Sequence, residues 1–215
     1  MPDSYSAPEV SHRYVLDLVR SADRDRFLAA LFAPEPARRA LLALLAFDHE
    51  LARTRLVTQE PMLARIRLEW WREAVTEAAG TATPRAQPIV ESLSETARRY
   101  GIGAERFVRL IDAREEEIEG PLDVVRAGEA LADLQLDVLG VRDAATRAAA
   151  RAVAAAWLMG DGPERDVLLA EARVRRHEID PSALPILLPA LALDSRASPW
   201  RRPLAYWWAA KRGRY

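Results

Sequence analysis

Cysteine is missing altogether from the 215 residues, and that gap removes disulfides, thiolate metal sites and cysteine nucleophiles together. Lysine is nearly missing: every basic residue except Lys211 is arginine, a uniformity that codon usage explains better than selection for phosphate forks. Neither sign of charge is in surplus. The net charge is -1, so nothing global favours nucleic acid, whose binders carry a basic excess. No run reaches the roughly 18 consecutive apolar residues of a membrane-spanning helix. Met1 to Val10 hold Asp3 and Glu9 without a basic residue or an apolar stretch, which is unlike a secretory signal or a transit peptide. These ten residues are expected to be flexible. A cytoplasmic location is expected, because a chain without cysteine suits a reducing compartment. No Gly-x-Ser-x-Gly nucleophile elbow occurs, and no stretch reads as a β-hairpin.

What is there is helical. Half the residues are hydrophobic and 29% are charged, a globular composition with enough apolar material for one sizeable core. Alanine, leucine, arginine and glutamate dominate, all good helix formers. Two short helices over Ser11 to Phe32 are expected to break near Ser21. After Pro34-Glu35-Pro36 a helix runs to about Val57, with Ala40, Leu44, Phe47 and Leu51 at helical spacing and Leu41 and Leu45 widening the stripe. So wide a stripe marks a central helix. Pro61 starts another to about Ala79, with Leu63, Ile66, Trp70 and Ala74 on one face and Trp71, Val75 and Ala78 beside it. Gly80 to Pro88 is a loop. Further helices follow, stopped by Gly101 and by Gly120-Pro121, then two over Leu122–Gly140 and Ala144–Met159. The second of these is nearly pure alanine and suits close backbone approach. Beyond the break Gly160-Asp161-Gly162-Pro163 come a charged helix to about His177, a segment punctuated by Pro181, Pro185 and Pro189, and a last helix over Trp200 to Tyr215. No repeat and no domain boundary is visible, so a single all-α domain over 1–215 is predicted.

The most informative stretch runs from Asp23 to Val75. It reads Asp-Arg-Asp-Arg-Phe-Leu through Phe32-Ala-Pro34, then Arg38-Arg39-Ala-Leu-Leu, Leu45-Ala-Phe47-Asp48-His49-Glu50-Leu-Ala-Arg53, and finally Arg67-Leu-Glu69-Trp70-Trp71-Arg72-Glu73. This order resembles the squalene/phytoene synthase family. It is most similar to a non-catalytic branch that includes a mitochondrial complex I assembly factor. The resemblance covers the chain from about Val15 to the tail. It implies a shortened isoprenoid (trans-prenyl diphosphate) synthase fold, a helical bundle around a central cavity.

The resemblance also says what catalysis would need. Such synthases ionise an allylic diphosphate, and the leaving group needs Mg²⁺ held by carboxylates. The family's first Asp-Asp-x-x-Asp motif lies a few residues beyond an Ala-Phe dipeptide matching Ala46-Phe47; the corresponding places here hold Ala52, Arg53 and Leu56. An arginine there adds a cation where Mg²⁺ would bind, and two unit charges about 4 Å apart repel by roughly 4 kcal/mol at an effective dielectric near 20. Arg53 and Arg55 could still grip a phosphate. In the second motif's region, Ala155 to Pro163, only Asp161 could serve, and its commoner role would be helix capping. The expectation is therefore a protein with no catalytic residue, no metal and no cofactor, supporting respiratory complex I (NADH dehydrogenase) assembly or binding a prenyl or lipid-like ligand. Its partners would be complex I subunits or assembly intermediates. Phe47, Asp48, His49, Glu50, Arg53, Trp70, Trp71 and Asp161 are the candidate cavity or ligand-binding residues. The alternative is a prenyltransferase with atypical Mg²⁺ ligation through Asp48, Glu50 and Asp161; a third reading is a lipid-binding module at a membrane surface.

Other constellations have plainer readings. Asp133 and Asp137 share a helical face, expected to be solvated. The acidic run Asp112, Glu115, Glu116, Glu117 and Glu119 suits structural ion pairs before partner docking. His12 and His177 lack spaced companions for zinc. Adjacent Trp70 and Trp71 point about 100° apart on a helix, and core packing is their ordinary role. The tail from Trp200 to Tyr215 mixes tryptophan with arginine. It is expected to dock on the body with its tryptophans buried, the alternative being peripheral contact with the inner face of the membrane or with an acidic partner.

Overall fold

A computed structural model describes residues 7–57, 60–194 and 199–215. Twelve α-helices and two short 3₁₀ turns account for the secondary structure of these described residues, and none of them is in a strand. The first helix, α1, already spans Ala7–Ala22. Ala7 to Val10 are thus helical and not the flexible lead expected, because Pro8 and Glu9 fall in a first turn that favours both residue types. Met1 to Ser6 lie outside the described residues. The next helix, α2 (Arg24–Ala30), is capped by Asp23, whose carboxylate accepts from the Arg26 amide. The break therefore sits at Asp23, two residues beyond Ser21.

The long helix α3 (Ala37–Val57) is the axle of the molecule. Every residue from Ala40 to Asp48 is buried, which no ordinary amphipathic helix could achieve. It touches α1, α2, α4 (Pro61–Ala79), α5 (Pro88–Tyr100), α6 (Ala104–Glu116) and α7 (Val124–Leu139). Phe47 anchors this centre, fully buried and edge-on to Trp71 of α4 and Phe107 of α6, with ring centroids 5.4 and 6.2 Å away. Gly101 and Gly140 end α5 and α7 with φ of 64° and 71°, a conformation that costs glycine least.

The most extensive pairing is α7 with α8 (Ala144–Leu158), with α9 (Pro163–Val174) packed against α8 on the other side. Alanine makes the approach close. A methyl group on Gly128 would lie 2.5 Å from the Ala155 amide nitrogen. The proline-rich segment folds as a 3₁₀ turn and two short helices, α10 (Leu184–Leu187) and α11 (Pro189–Asp194), laid over α2 and α8. The last helix, α12 (Arg202–Arg212), rests on α2 and α11 through Tyr206, which is fully buried beside Ala29 and Leu188.

The structure decides which stripe of α4 is covered. On α4 the buried residues are Ala64, Leu68, Trp71, Ala74, Val75 and Ala78, whereas Leu63, Ile66 and Trp70 face outward. Two apolar stripes interleave on this helix. Small alanines at 64, 74 and 78 let α4 approach its neighbours along the second stripe, so packing overrode bulk.

Candidate functional site

Where α3 passes α2, α6 and α8, a chain of charged side chains crosses the core. Asp48 follows Phe47 on α3 and is 1% exposed. Its carboxylate accepts from Arg114 Nη2 of α6 at 2.7 Å and from Arg26 Nη1 of α2 at 3.3 Å. Arg26 also donates to Asp23 and lies over the Trp157 ring of α8, 5.6 Å from its centroid. Trp157 Nε1 donates to the same Asp23 at 3.2 Å. At the other end Arg114 reaches Glu117 at 3.4 Å. Burial alone would raise the Asp48 carboxyl, but Arg114 and Arg26 outweigh it and hold Asp48 below the usual carboxylate range. Asp48 is therefore charged, buried and doubly paired, joining α3 to α2 and α6.

The remaining candidate residues are scattered. His49 and Glu50 are half-buried on the next turn of α3. Glu50 pairs with Arg53 at 2.7 Å along the helix, and the Arg53 side chain is 47% exposed. Trp71 joins Phe47 in the core, while Trp70 lies outside beneath the Arg85 guanidinium, 5.2 Å from the ring centroid. Asp161 sits in the loop before α9 with its side chain 93% exposed, bonded to Arg165. It caps nothing, since Gly162 holds the N-cap of α9. The structure thus brings Phe47, Asp48 and Trp71 together around the α3 core, and leaves Arg53, Trp70 and Asp161 at the surface.

Beside Arg26 and Trp157 lies a narrow space of about 20 Å³, close to what one water requires. Arg26, Leu41, Leu45, Leu131, Gln135 and Trp157 line it, and none of the eight candidates does. Leu41 and Leu45 were visible as the widened stripe of α3. Arg26, Arg114, Gln135 and Trp157 carried no signal of a shared location.

Asp133 and Asp137 of α7 face neither solvent nor a metal. Asp133 is buried and accepts from Arg147 at 2.7 Å and from Arg151 through two bonds of 2.9 Å. Asp137 takes Arg106 and Arg142. The expectation of a solvated face fails because arginines of α6 and α8 meet across α7. Along α6, Arg72 bonds Asp112 at 2.6 Å and Glu115 at 2.8 Å, and Arg65 and Arg126 take Glu119 and Glu116. The acidic run is a lattice of ion pairs.

The squalene/phytoene synthase profile matches residues 19–160. The chain belongs to the squalene/phytoene synthase family. It is 32% identical over 142 residues to the rat "NADH dehydrogenase (ubiquinone) complex I, assembly factor 6" and 26% identical over 141 residues to the human protein of that name. Those matches cover 62% and 60% of this chain and 42% and 41% of the relatives, so the chain matches less than half the length of these relatives. Among solved structures it resembles squalene synthase HpnC from Alicyclobacillus acidocaldarius, with a TM-score of 0.66 and 16% identity over 96% of this chain and 95% of that one. That likeness establishes the isoprenoid synthase helical fold.

The family implies magnesium, and the residues present do not fit it. Mg²⁺ demands oxygen donors in near-octahedral array. At the first motif's places stand the methyl group of Ala52 and the guanidinium of Arg53; the Leu56 side chain lies outside the described residues. Asp48 is closed off by two arginines, and Glu50 faces Arg53. Among the described residues no three histidine, aspartate or glutamate side chains are grouped to hold a metal ion.

Proposed function

We propose that this protein is a non-catalytic member of its family that supports assembly of respiratory complex I by protein contact. One observation carries the non-catalytic part: the only carboxylate at the heart of α3 is neutralised within the protein by Arg114 and Arg26. A leaving diphosphate needs its charge met by metal ions that carboxylates hold, and here Asp48 is already engaged by two arginines. The space of about 20 Å³ beside Arg26 and Trp157 falls far short of the roughly 300–1,000 Å³ of ordinary ligand pockets, which speaks against a prenyl or lipid-like ligand at that place; a roomier cleft of about 740 Å³ lies elsewhere, lined by Arg39, Glu91, Glu95, Arg98 and Arg99. The assembly role rests on the named relatives, and with it come complex I subunits or intermediates as clients. The same reading sets the protein in the cytoplasm, working at the inner face of the membrane.

A genetic experiment tests this. Deleting the gene should lower NADH dehydrogenase activity in isolated membranes while isoprenoid content stays normal. Falling isoprenoids with intact NADH dehydrogenase would instead establish the prenyltransferase alternative. Complementation with Asp161→Ala should restore activity fully, because that carboxylate takes no part.

A further inference from the structure

The tail was expected to bury its tryptophans against the body, and it does the reverse. Tyr206, with Ala209 packed beside it, plugs α12 into α2 and α11, and Arg202 pairs with Asp25 of α2. Tyr215 then ties down the end of the chain by donating to the Ala172 carbonyl at 2.7 Å. The helix is thus fixed flat along the protein. Its outer side presents Leu204, Trp207 and Trp208, which are 63%, 47% and 51% exposed, and Trp200 in the 3₁₀ turn just before it is 83% exposed. At 100° per residue, positions 204, 207, 208 and 211 fall within an arc of about 100°. Lys211, the only lysine in the chain, lies in that arc. Its ammonium stands 5.2 Å from the Trp207 ring and 5.9 Å from the Trp208 ring, and Arg212 covers Trp208 at 5.3 Å.

We infer that this outer face of α12 is an interfacial membrane contact selective for anionic lipid. Three features select that occupant. The exposed indoles sit where amphipathic rings prefer the headgroup boundary. The cations border them, so the apolar arc and positive charge would meet one surface together. From Pro199 to Tyr215 there is no aspartate or glutamate, against Arg201, Arg202, Lys211, Arg212 and Arg214; with Arg202 held by Asp25, four cations remain for lipid phosphates. An anionic bilayer complements both halves of this face, and a flat helix of 11 residues suits the surface of a bilayer. The inference rests on the reading that the protein works at the inner face of the membrane and names the surface and lipid class; it does not depend on the assembly role, which the vesicle experiment leaves untouched.

Purified full-length protein should be co-sedimented with phosphatidylcholine vesicles, with and without about one-third phosphatidylglycerol. The wild type should bind the anionic vesicles about tenfold or more tighter than the neutral ones, and weaken in high salt as surface charges are screened. Trp207→Ser with Trp208→Ser, and separately Lys211→Glu with Arg212→Glu, should each lose about tenfold or more in affinity while keeping the wild-type circular dichroism. Ile66→Ser with Met62→Ser, on the other exposed apolar face, should leave binding unchanged. Equal binding to neutral vesicles, no binding by the folded wild type, or a loss confined to the α4 variant would each overturn the inference. So would capture of an acidic protein through this face without any affinity for lipid.

Discussion

Asp48 is the residue on which the interior depends. Its ionised form is held by two guanidiniums in a place where an unpaired charge would be costly. Asp48→Asn should therefore destabilise the protein by about 3–5 kcal/mol, read from urea unfolding at neutral pH, because Arg114 is left buried without its anion. Replacing both partners, Asp48→Leu with Arg114→Met, should recover much of that loss; a double variant no better than Asp48→Asn would show that the charge pair is not what matters. The pH dependence follows from the sign of the shift. The folded carboxyl lies below its ordinary value, so its contribution is fully present above the unfolded value near 3.9 and disappears as pH falls through the lower folded one. The wild type's advantage over Asp48→Asn should accordingly shrink only below about pH 4. The paired tryptophans make a second residue-scale contrast. Trp71→Ala empties the space beside Phe47 and should cost about 3–5 kcal/mol. Trp70→Ala removes an outward ring with one cation above it and should cost about 1 kcal/mol or less. Equal costs would mean that the two faces of α4 are wrongly assigned.

At the scale of elements, the α7–α8 crossing is the tightest. A methyl group at position 128 would stand 2.5 Å from the Ala155 nitrogen and 2.7 Å from its Cα, and backbone cannot swing aside as a side chain can. Gly128→Ala should lower stability by about 1–3 kcal/mol through overpacking, although alanine is the better helix former; a stabilised variant would contradict the close approach. Element boundaries were the most legible part of the sequence, since they are set locally. Pro61 opens α4 and Gly101 and Gly140 close α5 and α7 as the sequence indicated, whereas Pro88, read as loop, opens α5, and Asp123, read as helix, caps α7. Faces were less legible. Leu63, Ile66 and Trp70 repeat at the same spacing as Leu68, Trp71 and Val75, and only the neighbours decide which set is covered. The tail shows the same limit: a tyrosine, not the three tryptophans, is buried against the body.

At the scale of the molecule, the motif positions could be located in the sequence, and the arrangement of charged side chains could not. The missing carboxylates at positions 52 and 53 could be counted along the chain. That Arg114, 66 residues away, would close on Asp48 could not, because such a contact depends on how α6 crosses α3. The same applies to Asp133 and Asp137, which wait on arginines from two other helices. The family's bundle is retained here while its polar centre is tied off by ion pairs, and the consequence is chemical. Purified protein incubated with farnesyl diphosphate and Mg²⁺, with released pyrophosphate measured over hours, tests this most directly. The account predicts no release above the protein-free background. Release that requires the protein and is lost in Asp48→Asn or Asp161→Ala would contradict it.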